Sequence, residues 1–321
     1  MYRTATKQGV VRRITDTFPR WIDTAAMKSN QLQFGTVLVA TDLTGGSTSA
    51  LRYAQAIAGQ HESSLVILHV IDPIHYACPG RDQRFMEAHA EARNELKRIE
   101  KDIRLRGITV HSAVESGMIC NCILQSVEDH EADLLILGTK ANTGAGRTAL
   151  GTIARRLIAR CPCPILTVPP DADYLLSTAG WWRKVLVATD FSPSSLAALE
   201  YAHKIARGQL LVLHASTAEG KQKCSQCLER LRFLAPFNES HTVPVEHVAV
   251  SEDIGRLIYQ QSLRFNPDLI VLGSPCSELS PEEISSSTVL EAISQATCPV
   301  LCVPATKTAA GSQPMQHAAF V

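Results

Sequence analysis

Residues 37–42 read "VLVATD", and the same six residues stand again at 185–190. That recurrence begins an ordered series. "LRYAQAIA" (51–58) returns as "LEYAHKIA" (199–206), and "LVILHV" (65–70) as "LLVLHA" (210–215). "DLLILGTK" (133–140) returns as "DLIVLGSP" (268–275), and "CPILTVP" (163–169) as "CPVLCVP" (298–304). Five blocks in one order make a tandem repeat, which is what decides the architecture.

Each copy alternates short apolar runs with longer helix-period segments. In the first, "TVLVATD", "LVILHV", "ITVHSAV", "DLLILG" and "PILTVP" read as five strands. They are continuous runs rich in Val, Ile and Leu, as strands buried on both faces must be. Ser47–Gly59, Phe85–Arg106, Met118–His130 and Leu150–Arg160 read as helices, the second closing on Gly107 as a C-cap. Strand–helix alternation of this kind gives a parallel sheet with helices on both faces. The expected fold is therefore α/β: two tandem domains, each a five-stranded parallel sheet. The expected division is an extension at 1–34, a first domain at 35–170, a linker at 171–182, a second domain at 183–305 and a tail at 306–321.

Composition fits that division, since 321 residues with 45% hydrophobic and 19% charged content suit two globular domains. Thirty-one basic residues balance thirty-one acidic ones, so no net field draws the chain to nucleic acid or a membrane. No run of about 18 apolar residues is present, so no stable membrane insertion is expected. The amino terminus lacks the apolar core of a secretory signal, and the expected location is cytoplasmic. In that compartment most of the ten cysteines stay reduced. Residues 1–34 carry six Lys/Arg against two Asp and read as a solvated or loosely docked tail, with "VVRRITDTFPRWI" weakly amphipathic.

In an open parallel sheet, ligands sit beyond the carboxyl ends of the strands. Two segments of the first unit meet there: "ATDLTGG" after strand 1 and "GTKANTGAGRTALGT" (138–152) after strand 4. Asp42 can accept hydrogen bonds from a ribose or a base, or cap the following helix. Gly138 closes strand 4. Gly144 and Gly146 permit close backbone approach. Gly151 and Thr152 open the last helix, where free amides favour anions, and Lys140, Arg147 and Arg155 supply counter-charge. No Walker A loop is present. Gly144-x-Gly146-x-x-Ala149 starts too far past the strand to be a dinucleotide fingerprint. "TGGSTS" (44–49) resembles the S-G-G-x-D-S loop of ATP pyrophosphatases, with Thr48 at the acidic position.

Together these residues resemble the universal stress protein family in tandem form. Its G-x2-G-x9-G-[ST] pattern is matched in spacing by Gly138, Ala141 and Gly151-Thr152, with Ala141 replacing a glycine. "VLVATDLT", "LHVID" and "CPCPILTVP" extend the likeness over about 35–170 and again 183–305. The resemblance implies Rossmann-like domains of the adenine nucleotide α-hydrolase-like kind, in which some members bind ATP. It implies that Asp42, with Ala40 and Thr41 before it, meets the adenosine and that Val70 lines the adenine site. It places Leu137, Gly138, Lys140, Ala141, Gly151, Thr152 and Ile153 around the ribose and phosphates, with ATP as the cofactor and Mg2+ left open.

The second unit departs from the pattern. Gly273 is followed by Cys276 and then Ser286-Ser287, and its loop carries Glu278, Glu282 and Glu283 without a cation. Carboxylates repel a triphosphate, so one nucleotide site is expected, in the first unit. His69 and His214, at matching places in strand 2, read as hydrogen-bonded core histidines. Cys120-x-Cys122, Cys161-x-Cys163 and Cys224-x2-Cys227 read as small apolar side chains in preference to zinc or redox centres, and no metal is expected.

The resulting expectation is a non-enzymatic, ATP-binding stress-response sensor or adaptor that engages adenine nucleotide and an unidentified protein partner. Slow ATP hydrolysis is left open, because no residue is an evident base. The two units are expected to pair within the chain, and association into a homodimer is left open. An interaction scaffold without nucleotide and an ATP pyrophosphatase-like transferase stand as the alternatives.

Overall fold

The computed structural model describes residues 32–76, 82–139, 150–170, 172, 182–215, 221–235, 245–250, 254–274 and 288–305. In the first repeat the strands are β1 Thr36–Ala40, β2 Ser64–Ile71, β3 Val110–Ser116, β4 Leu134–Gly138 and β5 Ile165–Val168. Its helices are α1 Thr48–His61, α2 Asp82–Arg104, α3 Ile119–Asp129 and α4 Thr152–Arg160. The second repeat supplies β6 Lys184–Ala188, β7 Gln209–Ala215, β8 Val245–Val250, β9 Leu269–Ser274 and β10 Val300–Pro304. Its helices are α5 Pro193–Ile205, α6 Lys221–Leu234, α7 Ile254–Phe265 and α8 Thr288–Gln295. Two 3-10 turns, Gly45–Ser47 and Pro73–Tyr76, go beyond the sequence reading. Gly107 takes φ +81°, the left-handed conformation that lets the chain leave α2.

The strands form one sheet in the order β3-β2-β1-β4-β5-β10-β9-β6-β7-β8. Within each repeat neighbouring strands run parallel. The two halves meet at an antiparallel seam, with Leu301 opposite Leu166 and Cys302 opposite Ile165. Antiparallel pairing there makes the carboxyl ends of β1–β5 and of β6–β10 lie on opposite rims.

Because side chains alternate across a strand, each continuous apolar run feeds two cores. On one face Val37, Val39, Ile136, Val187, Val271 and Leu301 pack beneath α1, α2, α5 and α6. On the other, Leu38, Leu68, Leu135, Leu186, Ile270 and Cys302 pack beneath α3, α4, α7 and α8. Both cores run through both repeats. Even the polar ties are duplicated. Asp133 Oδ2 accepts the amides of Gly35 and Thr36 at 2.7 and 2.9 Å, and Asp268 Oδ2 those of Arg183 and Lys184 at 3.0 and 2.9 Å. Each fastens the start of one strand to its neighbour.

Candidate functional site

In the first repeat β1 lies between β2 and β4, so the chain leaves β1 toward one side of the sheet and arrives at β4 on the other. This is the topological switch point of a doubly wound sheet, where a strand-end crevice opens. Ala40 is level with Leu68 on one side and Leu137 on the other. Ala40, Val70 and Leu137 belong to the same face, against the core beneath α3 and α4. Three of the expected adenosine-site positions thus share a face at one rim.

The turn after β1 explains how Asp42 is held. Its Oδ1 accepts the Thr44 amide at 2.9 Å and the Thr44 hydroxyl at 2.8 Å. Leu43 takes φ 60°, and the Thr44 hydroxyl in turn accepts the Gly46 amide at 3.3 Å at the head of the 3-10 turn. Burial pushes the Asp42 carboxyl up, but hydrogen bonds from the Thr44 amide and hydroxyl and from Ser47 outweigh it and hold the group below its ordinary value. Thr41 is buried and fully engaged. Its hydroxyl meets Ser47 Oγ at 2.8 Å and accepts the Leu43 amide at 3.0 Å, and its carbonyl accepts His69 Nδ1–H at 2.9 Å.

The second repeat reproduces this turn almost atom for atom. Asp190 Oδ1 accepts the Ser192 amide at 2.9 Å, and Phe191 takes φ 64°. Thr189 Oγ1 meets Ser195 Oγ at 2.9 Å, and His214 Nδ1–H donates to the Thr189 carbonyl at 2.8 Å. Both histidines are therefore hydrogen-bonded as the sequence implied, and His214 is buried. One difference is aromatic. Phe191 replaces Leu43, its ring centroid lies 4.3 Å from that of His214, and the Arg230 guanidinium lies over the Phe191 ring, 4.3 Å from its centroid.

Gly138 has a packing role. A Cβ there would stand 3.2 Å from the Gly46 carbonyl oxygen and 3.6 Å from Ser47 Cα, facing the 3-10 turn that leads into α1 and away from Ala40 and Leu137. At Gly273 the same atom would overlap the Ser195 amide nitrogen. Sequence reasoning gave Gly138 to the ligand and missed this contact, although the retained Gly273 was a signal for it.

The other rim element is α4. Gly151 is its N-cap with φ −61° and ψ 150°, and it offers no side chain to the first amides of the helix. The Arg155 guanidinium folds back so that Nε donates to the Leu150 carbonyl at 3.2 Å, which sets its charge at this end. Thr152 and Ile153 are exposed, and the Ile153 carbonyl faces Cys120 Sγ at 3.9 Å, joining the amino ends of α3 and α4. Lys140, Ala141, Gly144, Gly146 and Arg147 lie outside the described residues, as do Cys276, Ser286, Ser287 and the three glutamates of the second loop. "TGGSTS" forms the entry to α1, and its Ser47 hydroxyl is turned inward to Thr41 and the Thr44 carbonyl. Among the described residues no group of three or more His, Cys, Asp or Glu could hold a metal, and no helix is long and apolar enough to cross a membrane. A groove of about 470 Å³ lined by Lys97, Glu100, Lys101, Arg104 and Leu105 lies near the opposite rim, where Arg104 meets the Val110 carbonyl, and is no part of this site.

Fold and rim define a tandem doubly wound α/β protein whose halves share one turn architecture. The model of the universal stress protein family matches residues 33–169 and 182–304. The chain belongs to the universal stress protein family, with a copy of its domain in each repeat. A universal stress protein of Methanocaldococcus jannaschii is 26% identical over 152 residues, which is 46% of this chain and 89% of the relative. One from Thermus aquaticus is 30% identical over 141 residues, 42% of this chain and 98% of the relative. The crystal structure of a universal stress protein from Archaeoglobus fulgidus superposes with a TM-score of 0.68 at 20% identity, covering 85% of this chain and 99% of that one, and shares the fold.

Proposed function

We propose that the first repeat, residues 35–170, binds ATP between the β1 turn and the amino end of α4, and that the chain is a nucleotide-dependent adaptor or sensor in a stress response. The observation that carries this reading is the start of α4. Its N-cap is a glycine with no capping side chain, it opens on the exposed Thr152, and Arg155 is folded onto its first turn. Free helix amides with an adjacent cation suit a phosphate group. Ala40, Val70 and Leu137 offer an apolar wall for a base beside the Asp42 carboxylate. The residues therefore fit an adenine nucleotide, with Lys140 as a further counter-charge and Mg2+ accompanying the phosphates. The second repeat, 183–305, has lost the corresponding Gly-Thr and serves as the structural or regulatory half. The free thiols of the described cysteines suit a cytoplasmic setting. We assign no enzymatic role.

The interaction-scaffold reading has one observation in its favour. The Asp42 turn and the Gly138 contact recur at Asp190 and Gly273, in a repeat that lacks the glycine motif, so neither residue by itself requires a ligand. The pyrophosphatase-like reading has less, because the Ser47 hydroxyl of "TGGSTS" is engaged internally.

The deciding measurement is the small-molecule content of the purified protein, released by denaturation and read by mass spectrometry, beside Gly151→Glu. ATP or ADP near one equivalent in the parent and none in the variant is the expected result. A parent protein that is empty and fails to take up added ATP overturns the nucleotide reading and leaves the scaffold.

A further inference from the structure

Cys161 and Cys163 flank Pro162 where α4 ends and β5 begins. Their Sγ atoms lie 3.5 Å apart, and the two residues are 2% and 8% exposed. The pair sits at the amino-terminal rim of β4 and β5, where the Leu135 amide donates to the Pro164 carbonyl. The nine residues of α4 separate it from the proposed nucleotide end, about 13 Å of helix.

The second repeat provides an internal comparison. In "ATCPVLCVP" (296–304), Cys298 occupies the place of Cys163, but Ala296 occupies the place of Cys161. The fold therefore needs only a small side chain at the helix end, and packing does not account for the sulfur of Cys161. Cys298, without a thiol partner in that position, is pushed up to about 12 by burial. Cys161 moves the other way, because the Cys163 thiol and amide donate hydrogen bonds to its sulfur and outweigh the effect of burial. Cys163 is raised as the donor of that pair and by burial. The hydrogen bond favours ionisation of Cys161 and keeps a second thiol beside it.

We propose that Cys161 and Cys163 form a redox-active dithiol at the junction of the repeats, oxidised by hydroperoxides to a disulfide that spans Pro162. With no third His, Cys, Asp or Glu grouped there among the described residues, the pair lacks a zinc ligand set. The S–S distance closes from 3.5 Å to the about 2.0 Å of a disulfide. In the first step the Cys161 thiolate attacks one peroxide oxygen. The O–O bond breaks, hydroxide leaves and takes up from solvent the proton that Cys161 released on ionising, forming the first water, and Cys161 becomes a sulfenic acid. Cys163 then attacks the Cys161 sulfur. The S–S bond forms, the S–O bond breaks, and a second water departs with the Cys163 proton. Two thiols lose two electrons, and one hydrogen peroxide becomes two waters. The dithiol is independent of nucleotide binding.

The test uses the full chain, reduced and then exposed to hydrogen peroxide, alkylated with iodoacetamide and digested with trypsin. Both cysteines fall in one tryptic peptide, 161–183, which contains no other cysteine. The expected result is loss of both alkyl groups from that peptide, a mass lower by two hydrogens than the dithiol, and full return of alkylation after dithiothreitol. In Cys163→Ser, peroxide is expected to stop at a sulfenic acid on Cys161 that dimedone captures. A parent peptide that stays doubly alkylated in excess peroxide overturns the proposal. So does oxidation that joins either cysteine to a different one, or that passes to sulfinic acid without a disulfide.

Discussion

At the scale of single residues, Asp42 and Asp190 show how one side chain serves a local turn whether or not a ligand is present. Each carboxylate is held below its ordinary value of 3.8, with the turn's hydrogen bonds outweighing burial. A carboxyl whose folded pKa is depressed contributes stability that is fully present above its unfolded value and is lost as pH falls through the folded one. We therefore expect Asp42→Asn and Asp190→Asn to unfold in urea with a shallower dependence on pH below about 4 than the parent. The amide oxygen keeps the turn's acceptor while removing the titration. A pH dependence unchanged in the double variant would show that these carboxylates do not carry it. The sequence reading allowed Asp42 and Asp190 to cap the following helices, but the caps are Thr44 and Ser192, and each Asp instead accepts the amide of the cap residue two positions on, a local pattern of Asp followed by Thr or Ser. The packing of Gly138 and Gly273 against the entries to α1 and α5 was not legible, because it depends on where a helix distant in sequence comes to rest.

At the scale of elements, strands and helices were largely readable. Buried parallel strands leave continuous apolar runs, and the helices covering them keep the helical period. What could not be read was how α4 ends. The carbonyl of Ile158 would normally accept an amide four residues on, but that residue is Pro162, which has none. The Ser274 hydroxyl, from β9 of the other repeat, donates to it at 2.8 Å in a buried setting. No local pattern announces a bond between residues 116 positions apart. Ser274→Ala should leave that carbonyl unsatisfied and lower stability by about 1–3 kcal/mol in urea unfolding. Ser274→Thr, which keeps the hydroxyl, should recover part of the loss. An alanine variant as stable as the parent would mean that water or a shift of α4 satisfies the carbonyl. The loops at 140–149 and 275–287 lie outside the described residues.

At the scale of the whole molecule, repetition foretold two units but not the way they join. Edge pairing of β5 with β10 is a contact between two similar apolar strands, and hydrophobic periodicity does not say which edges meet. The two cores on either face of the sheet each draw residues from both repeats, and Trp182 from the start of the second stacks on Tyr53 of α1, centroids 5.8 Å apart and planes 10° off parallel. Shared cores couple the halves, so the chain should unfold in one transition, with far-ultraviolet and near-ultraviolet circular dichroism giving the same urea midpoint. Two separated midpoints would show that the seam yields before the halves do.

The seam has a further consequence. Two free copies of such a unit, meeting edge to edge, would separate on dilution. Here the second half is tethered to the first by residues 171–181, and a short tether sets an effective concentration on the order of millimolar. The pairing therefore does not depend on how much protein a cell makes. It also releases the chain from symmetry. In a pair of identical subunits every substitution appears twice, whereas here each half can change alone, so one rim can be remade without altering the other.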